Sequence, residues 1–271
     1  MRTLTVTSEE SGAVIRDILR GRGFSRRLIT RLKNSEGISL EGVRTKVTAR
    51  AHEGQHIEIT EPQQSFPEPN GELNVPVLYE DGDVIVFDKP ADMPVHESIN
   101  HRGDTLANYF AYICPRLTFR TVNRLDRDTA GCVCVAKTRY AAAMLQGSIE
   151  KVYMGLIPPT KLSGGRVCAP IARERESVIL RCVREDGKWS ATCWQVVERR
   201  QSCAVCRFFL ETGRTHQIRV HLAHIGLPLI GDEMYGGDCS ERKGQALICS
   251  EVSFVSPENG KRVTVRSKQS L

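Results

Sequence analysis

A chain of 271 residues has room for one large domain, or for a large and a small one, and 40% hydrophobic with 26% charged residues is the make-up of a folded soluble protein. No apolar run approaches the roughly 18 residues that a membrane span needs, and Met1-Arg2-Thr3-Leu4-Thr5-Val6 opens no apolar signal stretch, so a cytoplasmic protein with no membrane partner is expected. The net charge of +6 is uneven: residues 1–60 hold 11 Lys+Arg against 7 Asp+Glu, which puts +4 in less than a quarter of the chain.

In chain order, Ala13, Val14, Ile15, Ile18 and Leu19 predict an amphipathic helix, Gly21 and Gly23 a break, and Leu28, Ile29 and Leu32 a second helix. Arg20, Arg22, Arg26, Arg27, Arg31 and Lys33 fall in this pair with no acid among them. Such a run alone is most simply a solvated helix face. Gly37–Gly42 reads as a strand entering a tight turn and Gly54–Ile59 as a closing strand. The order helix, Phe24-Ser25-Arg26-Arg27, helix, Glu36-Gly37-Ile38, Glu41-Gly42-Val43 and Glu53-Gly54-Gln55-His56-Ile57 resembles the S4 RNA-binding domain. That resemblance implies arginines on a helix face that hold RNA phosphates without reading sequence. Glu61–Val75, with three prolines, Asn70-Gly71 and no basic residue, reads as a linker. The expected domains are therefore 1–60, a linker at 61–75, and 76–271.

Beyond the linker, Asp83–Asp88 predicts a buried strand and Asp104–Cys114 a capped helix. Strands are expected at Gly131–Ala136, Val152–Ile157, Val178–Val183, Ala191–Val197, Cys203–Leu210, Ala246–Cys249 and Val252–Val255, with hairpin turns at Asp186-Gly187 and Asn259-Gly260. Helices are expected at about 104–114, 139–149 and 215–225. Many hairpins with few helices make the fold class α+β, a large, mostly antiparallel mixed sheet preceded by a small α/β module.

The ten cysteines tempt a zinc or disulfide reading. Cys132/Cys134 and Cys203/Cys206 alternate with apolar residues as buried strands do, and no second Cys or His pair follows at ligand spacing. They are expected to be small core residues, with no metal.

Two segments are more polar than a core requires. One is Val122-Asn123-Arg124-Leu125-Asp126-Arg127-Asp128-Thr129-Ala130-Gly131, just before an apolar strand; the other is Thr212-Gly213-Arg214-Thr215-His216-Gln217-Ile218-Arg219-Val220-His221, at a strand-to-helix junction. These stretches resemble the two signatures of the RluA-type pseudouridine synthases. Asp88-Lys89-Pro90, Pro94-Val95-His96, Lys151-Val152-Tyr153, His224-Ile225-Gly226 through Pro228, Gly231-Asp232 and Tyr235-Gly236 follow in the family's order, over about residues 78–266.

The resemblance implies isomerisation of a uridine to pseudouridine in RNA, ribosomal or transfer, by a monomer that uses no cofactor. Asp126 aligns with the essential aspartate, which attacks C1′ or takes a proton from C2′. Arg214 aligns with the residue that keeps that carboxylate charged and oriented, and Tyr153 with the tyrosine that packs on the uracil. Arg124 matches the arginine that enters the RNA as the base flips out, with Arg127 beside it on the RNA side. Asn123 stands where the family has histidine and Ala130 where it has serine. His216, His221 and His224 are read as structural or RNA-facing. Two rival readings are an RNA-binding or ribosome-assembly factor that has lost catalysis, and a hydrolase using Asp126 and Asp128 as a carboxylate pair.

Overall fold

The computed structural model describes residues 2–60, 66–176 and 179–271, with only the backbone at Arg2 and Arg27. The chain divides into two compact units, Met1–Ser65 and Phe66–Leu271.

The first unit runs β1 (Arg2–Thr5), α1 (Ile15–Gly21), α2 (Arg26–Asn34), β2 (Ile38–Leu40), β3 (Val43–Arg44) and β4 (His56–Ile59). Its strands form one antiparallel sheet in the order β1-β4-β2-β3. Ile15, Ile18 and Leu19 of α1 and Ile29 and Leu32 of α2 lie at helical spacing and are buried with Ile38, Ile57 and Ile59 of the sheet. The Ser25 hydroxyl caps α2 by accepting from the Leu28 amide at 3.2 Å. Glu41 and Gly42, both at positive φ (51° and 75°), make the two-residue turn between β2 and β3. The sequence reading omits β1, because four residues of weak alternation carry little signal.

The second unit runs β5 (Val77–Glu80), β6 (Val84–Lys89), α3 (Leu106–Ile113), β7 (Arg120–Thr121), β8 (Ala130–Ala136), α4 (Arg139–Leu145), β9 (Glu150–Ile157), β10 (Gly164–Cys168), β11 (Ile171–Arg173), β12 (Arg181–Val183), β13 (Ala191–Arg199), β14 (Ala204–Leu210), α5 (Gln217–His224), β15 (Leu247–Val255) and β16 (Arg262–Arg266). Ten strands form one sheet, ordered β10-β13-β14-β9-β15-β8-β6-β5, with β16 on β15 and β7 on β8; β11 and β12 form a separate ribbon. Every pairing in the large sheet is antiparallel except β8 with β15. The fold class is thus the expected α+β.

The parallel pair depends on one glycine. Gly131 sits at φ 107°, and a Cβ there would overlap the Cys249 carbonyl of β15. Two differences from the sequence reading have plain causes. The stretches 246–249 and 252–255 are one strand, β15, with a bulge between Cys249 and Glu251 where the alternation slips. Helix α4 stops at Leu145 because Gly147 turns the chain at φ 81°. The expected strand at 178–183 is ordered only as Arg181–Val183, and Val178 lies outside the described residues.

Of the residues read as linker, 61–65 lie outside the described residues, whereas the remainder packs on the second unit. Val75 is buried, Asn70 donates to the Gly103 carbonyl at 2.7 Å, and Asn108 of α3 donates to the Glu68 carbonyl at 2.9 Å. Proline- and asparagine-rich composition marks irregular backbone, but does not say whether that backbone is bound down.

Candidate active site

Asp126 lies in the segment joining β7 to β8, where burial alternates from Asn123 (in) through Arg124 (out) to Leu125 (in), as in an extended chain. Two internal clamps hold this segment. The Asn123 amide, buried at 6% exposure, donates to the Cys132 carbonyl at 3.0 Å and accepts from the Cys134 amide at 2.8 Å, pairing with β8 as a backbone unit would. Lys89, at the end of β6 and fully buried, donates from Nζ to the carbonyls of Pro90, Met93 and Arg127 at 2.7, 2.8 and 2.9 Å. Burial pulls the Lys89 ammonium down to about 7, with Asp128, Asp126 and Asp92 opposing the shift.

The Asp126 carboxylate meets helix α5. Arg219, on a helix whose residues 217–222 are all buried, donates from Nη1 to Asp126 Oδ2 at 3.2 Å and grips the buried Asp232 with two further bonds, Nε to Oδ2 at 2.7 Å and Nη2 to Oδ1 at 2.8 Å. Its guanidinium also lies 5.0 Å from the centre of the Tyr235 ring. His216, at the N-terminus of α5 in the left-handed region (φ 56°, ψ 21°), has Nε2 3.8 Å from the same Asp126 oxygen and Nδ1 2.8 Å from the Tyr235 hydroxyl. Burial lowers the His216 pKa, partly offset by Asp126.

Arg214, expected to hold Asp126, takes a different partner in this structure. Its Nε and Nη2 both reach the Trp189 carbonyl at 3.3 Å, while the residue lines the cleft beside Asp126. The guanidinium paired with Asp126 belongs to Arg219, five positions on in the same signature. The reason lies in Gln217. Its side chain accepts from the Arg214 amide at 2.9 Å and from Thr212 Oγ1 at 2.7 Å and donates to the Ala191 carbonyl at 2.9 Å, so the 212–214 turn is fixed against β13.

Tyr153, on β9 opposite Cys249 of β15, is buried at 6% exposure and lines a small inner cavity of about 60 Å³ with Asp126, Arg124, Leu210, Arg214 and Leu247. The cavity shares all of these but Leu247 with a wider cleft. The cleft lining includes six cationic side chains, Arg124, Arg127, Lys151, Arg173, Arg181 and Arg214, against one acid, Asp126. One of the six is largely spent: Arg127 pairs with Asp92 at 3.1 Å and Asp128 at 3.3 Å. Asp128 therefore faces Arg127 and lines a different cavity from Asp126, an arrangement unlike two carboxylates flanking one bond. His221 sits deep among Thr192, Ser190 and the Ala169 carbonyl, a structural role.

In the first unit the predicted cations separate. Arg20, Arg26 and Lys33, joined by Arg16, line one groove with Thr30 and Thr48. Arg22 instead makes a bidentate pair with Glu10 (2.8 and 2.6 Å) and also donates to the Thr5 carbonyl, and this pairing lowers the Glu10 pKa to about 2. Arg31 is exposed outside that groove, and the Arg27 side chain lies outside the described residues.

All ten cysteines are unpaired, and five of them are buried; burial pushes the Cys132 and Cys134 thiols up to about 12. Among the described residues no three His, Cys, Asp or Glu side chains gather as metal ligands, and no helix is long and apolar enough to cross a membrane.

Sequence reasoning missed Lys89, Arg219, Asp232, His216 and Tyr235 as parts of this site. Arg219 could have been found: a charged residue between Ile218 and Val220 on a buried stripe needs a buried partner.

The chain that carries this single anchored aspartate beside a buried tyrosine is similar to known proteins. Residues 83–224 match the family model described as RNA pseudouridylate synthase. The ribosomal large subunit pseudouridine synthase D of Xanthomonas campestris is 32% identical over 265 residues, covering 89% of this chain and 80% of that one. The synthase of the same name from Pseudomonas aeruginosa is 39% identical over 175 residues, covering 61% of this chain and 55% of that one. The uncharacterized RNA pseudouridine synthase YjbO of Bacillus subtilis is 34% identical over 87% of this chain and 88% of its own. Among solved structures, human RNA pseudouridylate synthase domain containing 1 superimposes with a TM-score of 0.61 at 25% identity, covering 74% of this chain and 86% of that one. The chain belongs to the RNA pseudouridylate synthase family, of the RluA type, and isomerises uridine to pseudouridine in RNA.

Proposed function

We propose that the substrate is ribosomal RNA and that Asp126 is the carboxylate that works at C1′/C2′ of the target uridine. One observation carries this: Asp126 is a partly exposed carboxylate anchored through one oxygen by Arg219, in a cleft where every other charged lining residue is basic. In the isomerisation the N1–C1′ bond breaks, the uracil turns, C5 bonds to C1′, and the proton lost from C5 is balanced by one gained at N1. A developing positive charge at C1′ is stabilised by an ionised carboxylate beside the sugar. Arg219 holds that carboxylate, and Tyr153 offers a flat face to the uracil. Arg124, exposed at the rim, fills the space the flipped base leaves, and Arg214 meets the RNA backbone. The relatives' names, ribosomal large subunit pseudouridine synthase, support the choice of RNA.

The first unit acts as an S4-like RNA-gripping module through Arg20, Arg26 and Lys33, on a helix pair backed by a four-stranded sheet. Ten unpaired thiols fit a reducing, cytoplasmic setting. The test is to incubate RNA from cells lacking the gene with the protein and map pseudouridine chemically. New pseudouridine in ribosomal RNA, abolished by Asp126→Asn while RNA affinity is largely kept, is the expected result. New pseudouridine in transfer RNA alone would refute the substrate, and full activity of Asp126→Asn would refute the carboxylate assignment.

A further inference from the structure

We propose that His216 is a positioning residue for Asp126: with Arg219 it fixes carboxylate oxygen Oδ2, leaving Oδ1 as the oxygen that reacts. This deepens the reading above and rests on Asp126 being the working carboxylate. Two groups from α5 converge on one oxygen of Asp126, Arg219 Nη1 at 3.2 Å and His216 Nε2 at 3.8 Å. A carboxylate held by one oxygen from two directions keeps its orientation and presents the other oxygen to the cleft.

The structure also assigns the tautomer that this role needs. The Arg181 amide of β12 donates to the Tyr235 hydroxyl at 3.0 Å, so that oxygen is already an acceptor. Its own hydrogen is then best placed on His216 Nδ1, 2.8 Å away, which makes Nδ1 the acceptor and puts the imidazole proton on Nε2, toward Asp126. The ring is held in place by an edge contact with Tyr235, centroids 5.7 Å apart at 85°, and His216 itself is only 8% exposed. Its left-handed backbone is a conformation a non-glycine residue keeps only when its surroundings impose it. Asp232 and Tyr235 come from one short segment, so the Gly231-Asp232 and Tyr235-Gly236 pairs in the sequence serve a single purpose. Asp232 anchors Arg219, Tyr235 orients His216, and both bear on the same oxygen. At 3.8 Å the His216 contact is longer than a hydrogen bond in the RNA-free protein, and the role proposed for it needs that gap to shorten when RNA covers the site.

The groups facing His216 are Asp126, Arg219, Arg181, Asp232 and Tyr235, which sets the controls. Nitrogen-15 NMR of the intact protein at pH 7.5, free of RNA, should show neutral His216 with its proton on Nε2. In Asp126→Asn, the His216 pKa should fall further, since a facing anion is lost. A proton on Nδ1, or an unchanged titration in Asp126→Asn, would overturn the proposal whatever the RNA substrate is. In turnover, His216→Ala should lower kcat about tenfold to a hundredfold, the loss of one hydrogen bond to a charged group, with RNA affinity unchanged. His216→Gln, which keeps an amide donor near Nε2, should recover several-fold. Equal kcat for the Ala and Gln variants, or an Ala variant within twofold of wild type, would also overturn it. If wild type itself turns over no RNA tested, the proposed substrate fails and the NMR result still decides this proposal.

Discussion

Removal of Arg219 tests the site at its most connected point. Its side chain is 7% exposed and makes three hydrogen bonds, two to Asp232, whose side chain is 0% exposed, and one to Asp126. Arg219→Ala leaves Asp232 as a buried charge without its partner, a defect of about 3–5 kcal/mol. For a unit of residues 66–271 that corresponds to a fall in Tm of roughly 6–20 °C. The double variant Arg219→Ala/Asp232→Ala removes the orphaned charge along with its partner. It should therefore unfold at a higher temperature than Arg219→Ala alone, although its activity stays low because Asp126 has lost its anchor. Thermal unfolding of the four proteins of the cycle gives the coupling energy directly. A coupling below about 1 kcal/mol, or an Arg219→Ala Tm within 2 °C of wild type, would refute the view that this pair is the keystone of the site.

Three other outcomes are expected. Lys89 has its pKa drawn down to about 7 by burial, so between that value and its unfolded value near 10.4 the unfolded chain binds the extra proton and stability rises with pH. Relative to Lys89→Met, wild type should gain on the order of 2 kcal/mol from pH 7 to 9 in denaturant titrations, and parallel pH profiles would show the ammonium is not perturbed. Asn123→Leu strands the buried Cys132 carbonyl and Cys134 amide and should cost about 2–4 kcal/mol by urea unfolding; a change under 0.5 kcal/mol would mean Asn123 is not a clamp. Removing Arg26 and Lys33 together should reduce the slope of log K against log salt for RNA binding by about 1–2, whereas Arg22→Ala, whose guanidinium is already paired with Glu10, should leave it unchanged. Equal slopes for both would make the α2 groove a mere solvated face.

The α+β class and most strands of the large sheet were readable because alternation and turn residues are local signals, as at Ala204–Leu210. Pairing partners were not, since nothing in Leu247–Val255 announces that it inserts between β8 and β9. At the site, Asp126, Arg124, Tyr153 and Arg214 fell in recognisable motifs and do line one cleft. The division of labour between Arg214 and Arg219 was hidden, because both lie in the same signature and only the helix start at Gln217 decides which turns inward. Charge counting misled in one respect: residues 66–271 carry a net charge of only +3, from 27 Lys+Arg against 24 Asp+Glu, yet six of those cations line one cleft with a single acid.

The parallel contact of β8 with β15 also bears on how the protein comes into being. Gly131 follows the Asp126 segment directly, and its strand neighbour is a stretch near the carboxyl end of the chain, Ile248 and Cys249. Tyr153 likewise lies opposite Cys249. During synthesis, everything from Asp126 to α5 leaves the ribosome before the strand that separates β8 from β9 exists. A nascent chain therefore holds two unpaired strand edges and a collection of arginines with no assembled cleft, the kind of long-range closure that folds slowly and exposes edges to aggregation. The cleft can be completed only once Leu247–Val255 has been made, so a frameshift before residue 247 should yield an insoluble product rather than a weakly active one.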